Sequence, residues 1–264
     1  MPTSVDADVA RKLNVKEPFW EADRDEFKQT VTAVAEDIVF RVFPTKVLEL
    51  TTLVESTSNS DSPFHLSHAL SSTDATVYPP PTSVIVSDEP DAKKRKRNGN
   101  GSTASSAPVP NDLQHARYPN LMLANKHTSQ VHEEVKKECS QLGEYCDKVK
   151  LWVNLTMPNG DNFGVSIQEE ALSELHRSQE SAYNLRDSAR TDHLTRAKIC
   201  TKLIKYPHVE DYVHALKEHD EKQLYLARQH LIDLRNIYAV ITDILHKNIN
   251  KIRAPKANNG VGLY

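Results

Sequence analysis

The sequence predicts an all-α protein, an elongated four-helix bundle subunit, and three observations lead there. Only seven of 264 residues are glycine, about a third of the usual ~7% share, and tight β-hairpins and bulges consume glycine. Aromatic content is 6% against 38% hydrophobic, which is poor in the residues that fill strands. The apolar residues that are present recur at steps of three and four over very long stretches, the spacing of one helix face.

The first helix is predicted over residues 20–55, with Phe27, Val31, Val34, Ile38 and Val42 as its stripe. Pro44 falls inside it and should kink or restart it. Residues 56–120 hold eight of the fourteen prolines, including Pro79, Pro80 and Pro81, together with most of the Ser, Thr and Asn clusters. Such a segment cannot bury enough apolar surface to offset its ordering entropy, so it reads as a mostly disordered loop. Its length exceeds that of an ordinary connection within a domain.

The second helix is predicted over 121–157, striped by Val131, Val135, Leu142, Cys146, Val149 and Val153, and the breakers of Met157-Pro158-Asn159-Gly160 end it. The third spans 165–206 through Ile167, Ala171, Leu175, Ala182, Leu185 and Ala189 to Tyr206-Pro207. The fourth spans 209–253 and ends before Pro255. Its seam is Leu224, Ala227, Leu231, Leu234, Tyr238, Ile241, Leu245, Asn248 and Ile252, with Ile237 and Ile244 widening it beyond a two-stranded contact. Helices of this length reach about 50–65 Å. They cannot wrap one small core, so they pack side by side as a single domain over 1–264, closed by a tail over 254–264.

Charge and composition exclude several function classes. The 33 basic and 36 acidic residues leave a formal charge of −3, too balanced for a protein that coats nucleic acid or membrane through its overall field. No run of apolar residues is long enough to span a bilayer, and residues 1–20 lack an apolar signal core. A soluble intracellular protein is expected. Three cysteines form no disulfide framework, which suits a reducing compartment, and the sequons at Asn154 and Asn100 are then chance matches.

Cys139 and Cys146 lie one heptad apart on a helix, about 10 Å, too far to bridge; they read as core residues. None of the twelve histidines forms an i, i+4 pair on a helix, and no Cys-x-x-Cys occurs. His65 and His68 fall in the loop. No nucleophile elbow, phosphate loop or dinucleotide turn is present, so neither enzyme activity nor a cofactor or metal is expected. Glu169-Glu170 supplies negative charge where the third helix's dipole favours it.

Three segments look functional. Lys93, Lys94, Arg95, Lys96 and Arg97 form an accessible basic run after Asp88, Glu89 and Asp91, which reads as a nuclear-import signal. Five charges would bind nucleic acid only weakly and in a salt-sensitive way, so no specific nucleic-acid partner is expected. The loop Pro158, Asn159, Gly160, Asp161, Asn162, Phe163, Gly164 joins two long helices and is dense in residues that fix backbone shape. The C-terminus ends in Gly262, Leu263 and Tyr264, apolar side chains with a free carboxylate suited to a pocket.

Several stretches closely resemble the 11S proteasome activators, best of all the gamma type. They are Asn162–Glu170 (Asn-Phe-Gly-Val-Ser-Ile-Gln-Glu-Glu), Thr195–Lys198, Lys205–Tyr212 (Lys-Tyr-Pro-His-Val-Glu-Asp-Tyr), Asp220–Lys222, Leu234–Asn236, Lys247–Ile249 and Leu263-Tyr264. The match is strong over 145–264 and moderate over 20–55, where Phe43-Pro44 is followed by Leu48-Glu49-Leu50. The resemblance implies a non-catalytic, ATP-independent homo-heptameric ring around a channel for peptides or unfolded protein. It implies the proteasome core particle as partner, docked through Gly262, Leu263 and Tyr264, with Pro158–Gly164 as the activation loop that opens its gate and promotes ubiquitin-independent degradation. It also implies that Lys198 lines the channel, that Lys93–Arg97 acts as the gamma type's nuclear run, and a location in the nucleus with some cytoplasm. The family loop is three residues longer between its proline and glycine and has Asn where Asp161 stands, so weaker gate opening is expected. The rival reading is a nuclear helical scaffold that recruits partners through 56–120.

Overall fold

The computed structural model describes residues 17–73, 122–158, 165–206 and 209–255. Helix α1 (Glu17–Asp37) runs through a π-helical turn (Ile38–Val42) into α2 (Phe43–Ser56), making one rod. Then come α3 (Lys126–Thr156), α4 (Ser166–Lys205) and α5 (Glu210–Arg253). No strand occurs among the described residues. The sequence-predicted four-helix bundle is what forms.

Pro44 falls where the rod restarts, in the first turn of α2 just after the π-helical turn. The Phe43 N–H donates to the Ile38 carbonyl, five residues back, and Asp37 and Val42 keep helical dihedrals. The wide turn sits immediately ahead of the residue that has no N–H to give, which lets the helix pass through the proline. The buried face of α1 also differs from the predicted stripe. Ile38 is buried and Val31 and Val42 pack against the core, but Phe27 and Val34 are 53% and 43% exposed. Ala35, Val39, Phe43 and Leu50 are the buried residues instead. Val34 sits about 100° round the helix from Ala35, and the small alanine is what permits close approach.

Side-chain pairings fix an up-down-up-down arrangement. Phe43 packs tilted against Tyr238 of α5 at 5.7 Å and 60°, and edge-on to Tyr145 of α3 at 6.4 Å. Lys46 bonds Glu138 of α3, and Arg228 of α5 bonds Thr57. Progress along the first rod therefore runs backward along both α3 and α5. Between α4 and its neighbours, Gln168 meets Ile252, Gln179 meets Gly143 and Asp192 meets His219, again antiparallel. The predicted stripes of α3 and α5 are buried throughout, except that Asn248 is half-buried and turns its amide onto the Ile244 carbonyl. A second, smaller core of Cys200, Leu203 and Leu216 closes the end near the α4–α5 connection.

Residues 57–73 correct the expectation of a disordered loop starting at 56. They form a strap of turns with a short 3-10 segment (Leu66–His68). Asn125 donates from Nδ2 to the His68 and Ala69 carbonyls at 2.9 and 2.7 Å, and His127 contacts the Pro63 carbonyl at 3.0 Å. His68 stacks on His127 with ring centroids 4.1 Å apart, and His65 caps the 3-10 turn through Ser67. Partners on α3 and α5, invisible in the segment's own composition, supply the order.

Candidate functional site

The helix ends that flank residues 159–164 and the end of α5 meet at the same end of the bundle. Upstream of the 158–164 loop, α3 finishes at Thr156, and the Met157 N–H returns to the Asn154 carbonyl at 3.3 Å. Downstream, α4 starts at Ser166 with Glu169 in its first turn, where the helix dipole favours an acid. The last turn of α5 lies against both, and its chain continues through Ala254 and Pro255.

Gln168 joins these three ends. It is fully buried, and its Nε2 donates to the Ile252 carbonyl at 2.9 Å and to Thr156 Oγ1 at 3.3 Å. The Thr156 hydroxyl proton is spent on the Val153 carbonyl at 2.8 Å, so both partners can only accept from Gln168. The amide orientation follows from that chemistry. From the other side Arg253 pairs with Glu36 at 2.7 Å and lies over the Phe40 ring at 5.1 Å. His246 Nε2 reaches the Val39 carbonyl at 2.8 Å. Ile252 is wholly buried between these two attachments. The tail therefore starts from a fixed base that is shared with both flanks of the loop.

Of the predicted loop residues only Pro158 is described, half-buried beyond α3. Asn159, Gly160, Asp161, Asn162, Phe163 and Gly164 lie outside the described residues, as do Gly262, Leu263 and Tyr264 of the tail and Lys93, Lys94, Arg95, Lys96 and Arg97 of the basic run. Lys198 is exposed on α4. Gln168 lay inside a motif stretch, but no spacing rule singled it out. The available signal was a long polar side chain three residues into a helix that follows a loop.

The opposite half of the bundle holds a buried polar cluster that sequence reasoning missed. Arg196 makes a two-pronged pair with Asp220, at 2.8 and 3.2 Å, and also donates to the Leu123 carbonyl at 3.1 Å. Thr73 Oγ1 bonds the same Asp220 carboxylate. One ion pair thus grips both described edges of the 74–121 segment. Nearby, His219 Nε2 meets Asp192 at 2.9 Å with both side chains buried. Burial works to raise the Asp192 carboxyl, but the His219 hydrogen bond and the neighbouring His132, His219 and His193 outweigh it and hold it below its usual value. Burial pushes the His132 and His230 rings below theirs.

The three cysteines are free and buried, and burial pushes the Cys139 and Cys146 thiols up to about 12. Cys139 and Cys146 are packing groups, as their spacing suggested, and Cys200 belongs to the smaller core. Among the described residues no cluster of His, Cys, Asp or Glu is disposed to hold a metal, and no helix is long and apolar enough to cross a membrane.

Fold and site together define a helical-bundle subunit that presents a loop and a C-terminal tail from one end. The family model described as "Proteasome activator PA28, C-terminal" matches residues 121–262, and "Proteasome activator PA28, N-terminal" matches 22–64. The chain is 36% identical over 251 residues to "Proteasome activator complex subunit 3" of Gallus gallus and 35% to that of Homo sapiens, covering 91% of this chain and 94% of each relative. The crystal structure of the 11S subunit of the Plasmodium falciparum proteasome, PA28, superposes with a TM-score of 0.64 at 30% identity, over 92% of this chain and 97% of that one. The chain belongs to the PA28 family of proteasome activators, which are regulators rather than catalytic enzymes.

Proposed function

We propose that this protein forms a homo-heptameric, ATP-independent ring that docks on the ends of the proteasome core particle. Gly262, Leu263 and Tyr264 are its docking residues, and Pro158–Gly164 act on the gate, releasing it less fully than the longer loop of the gamma type. Peptides and unfolded protein reach the core particle through the channel, which Lys198 lines, without ubiquitin. Lys93–Arg97 direct the ring to the nucleus.

The observation that carries this reading is the shared base at Thr156, Gln168 and Ile252, from which loop and tail both depart. A ring of such subunits would present every tail and every loop on one face. Each tail buries little surface and binds weakly, but several at fixed spacing gain avidity. Ring formation is supported by large apolar side chains left exposed on a single subunit, among them Phe27, Leu48, Leu194, Tyr225 and Val240.

Hydrolysis of a short fluorogenic peptide by purified core particle, with and without the protein, tests the proposal. Stimulation is expected, together with co-sedimentation that disappears when Gly262–Tyr264 are removed and the ring stays intact. A truncated ring that still co-sediments would refute the tail assignment.

A further inference from the structure

We infer that Gln168 is a positioning residue that couples the docking tail to the gate-directed loop, an inference that rests on the function proposed above. Its two amide protons are divided between two helix ends, the Ile252 carbonyl in the last turn of α5 and the Thr156 hydroxyl at the last residue of α3. Gln168 itself stands in the first turn of α4, immediately after the loop. One side chain therefore spans the base of the tail and both flanks of the loop.

The last carbonyls of a helix have no partner within it; Gln168 satisfies one of these in α5, at Ile252, and holds the end of α3 through the Thr156 hydroxyl. Tail contacts with the core particle pull on α5 beyond Ile252. Force or displacement reaches the loop only if the α5 end and the loop flanks move as one body. Hydrogen bonds from a buried amide provide that stiffness, because breaking them strands polar groups. Without them the tails still bind through their own contacts, but the loop no longer stands at a defined height above the docked surface. A loop without a defined position loses the differential contact that shifts a closed–open equilibrium.

Gln179 offers an internal control. It also lies on α4 and is nearly as buried, and its Nε2 donates to the Gly143 carbonyl of α3 at 3.1 Å. It ties the same two helices far from loop and tail.

The test compares Q168M, T156V and Q179M with the parent ring, at matched ring concentration by native mass spectrometry. Each is titrated against purified core particle with a fluorogenic peptide. For Q168M the half-maximal ring concentration should stay within twofold of the parent, while maximal stimulation falls at least threefold. T156V removes the branch to α3, along with the local bond to the Val153 carbonyl, keeps the Ile252 branch and should give an intermediate loss; it also serves if Q168M fails to assemble. Q179M should lower the thermal midpoint like Q168M yet keep full maximal stimulation. Q168M and T156V both behaving as the parent would overturn the inference alone. So would Q179M losing stimulation as much as Q168M, because the effect would then be general loss of rigidity. A parent ring that docks without stimulating overturns the gate-opening reading, and this inference with it.

Discussion

Lys46 Nζ and Glu138 Oε1 stand 2.9 Å apart with only 14% and 5% of their side chains exposed, a contact across 92 residues of sequence. Burial opposes the Lys46 charge, but the Glu138 and Glu49 carboxylates outweigh it and raise its pKa. The Coulomb gain of such a pair is largely cancelled by desolvation, so removing one partner is worse than removing both. K46M should cost about 3 kcal/mol by stranding Glu138, and K46M/E138L should recover most of it; urea unfolding of the four proteins in a double-mutant cycle measures both. Histidine burial gives a pH dependence with a definite sign. His132 faces Asp192, His193, Lys136 and His230, and His230 also faces Asp233. Burial lowers both rings from 6.5, so the unfolded chain takes up protons that the folded one refuses. Stability is therefore full above about 6.5 and declines as pH falls below it. Thermal midpoints from pH 7.5 to 5.5 should show the decline, and H230F should make it shallower. A flat profile in the parent would show that the folded protein protonates these rings as readily as the unfolded chain does. None of these residues was legible in the sequence, because periodicity marks which positions face inward and says nothing of which polar groups meet there.

Helix identity was far more legible than helix edges or surroundings. The stripes of α3 and α5 are regular enough that Val131, Val135, Leu231 and Tyr238 were placed in the core from spacing alone. The start of α3 was placed at 121, whereas it lies at Lys126, after an Asn125 cap. A single Asn before a helical run is a weak signal until its partners are known. Asn125 Oδ1 accepts from the His127 and Thr128 N–H groups at 2.9 and 3.2 Å, while Nδ2 holds the strap through the His68 and Ala69 carbonyls. Two jobs on opposite ends of one amide can be separated by substitution. N125S keeps a short capping acceptor but cannot reach the strap; N125A loses both. N125A should cost about 2 kcal/mol and N125S roughly half of that. Amide hydrogen exchange should show lost protection at residues 66–69 in both variants, and in the first turn of α3 only in N125A. Equal loss at the first turn of α3 in both would mean that the serine fails as a cap. The strap was misread because composition measures what a segment can bury by itself, whereas Thr57 and Ala69 are buried, and Phe64 half-buried, against other parts of the bundle.

At the scale of the whole molecule, the bundle's antiparallel order explains why helix ends a hundred residues apart, those flanking residues 159–164 and that of α5, come together. Three helix ends converge there only because α3 and α5 run parallel and α4 runs against them. That convergence makes loop length a mechanical variable. Under the function proposed above, tail docking would set the height of the bundle end above the core particle, and the loop's contour would decide whether it touches the gate. The loop here has one residue between Pro158 and Gly160, three fewer than the family pattern, which shortens its reach by up to ~10 Å if extended. Asp161 also carries a charge where the family has a neutral amide. The proposed function then predicts a subunit that keeps its docking energy, which the tail supplies, and loses the contact that favours the open gate. Inserting three residues after Pro158 should therefore raise maximal peptide hydrolysis while the half-maximal ring concentration stays within twofold. D161N alone should give a smaller rise, because it removes the charge but not the deficit in length. The two effects are read from the same titration, maximal rate against ring concentration at fixed core particle. A parent ring that already stimulates as strongly as the insertion variant would show that the short loop reaches the gate unaided.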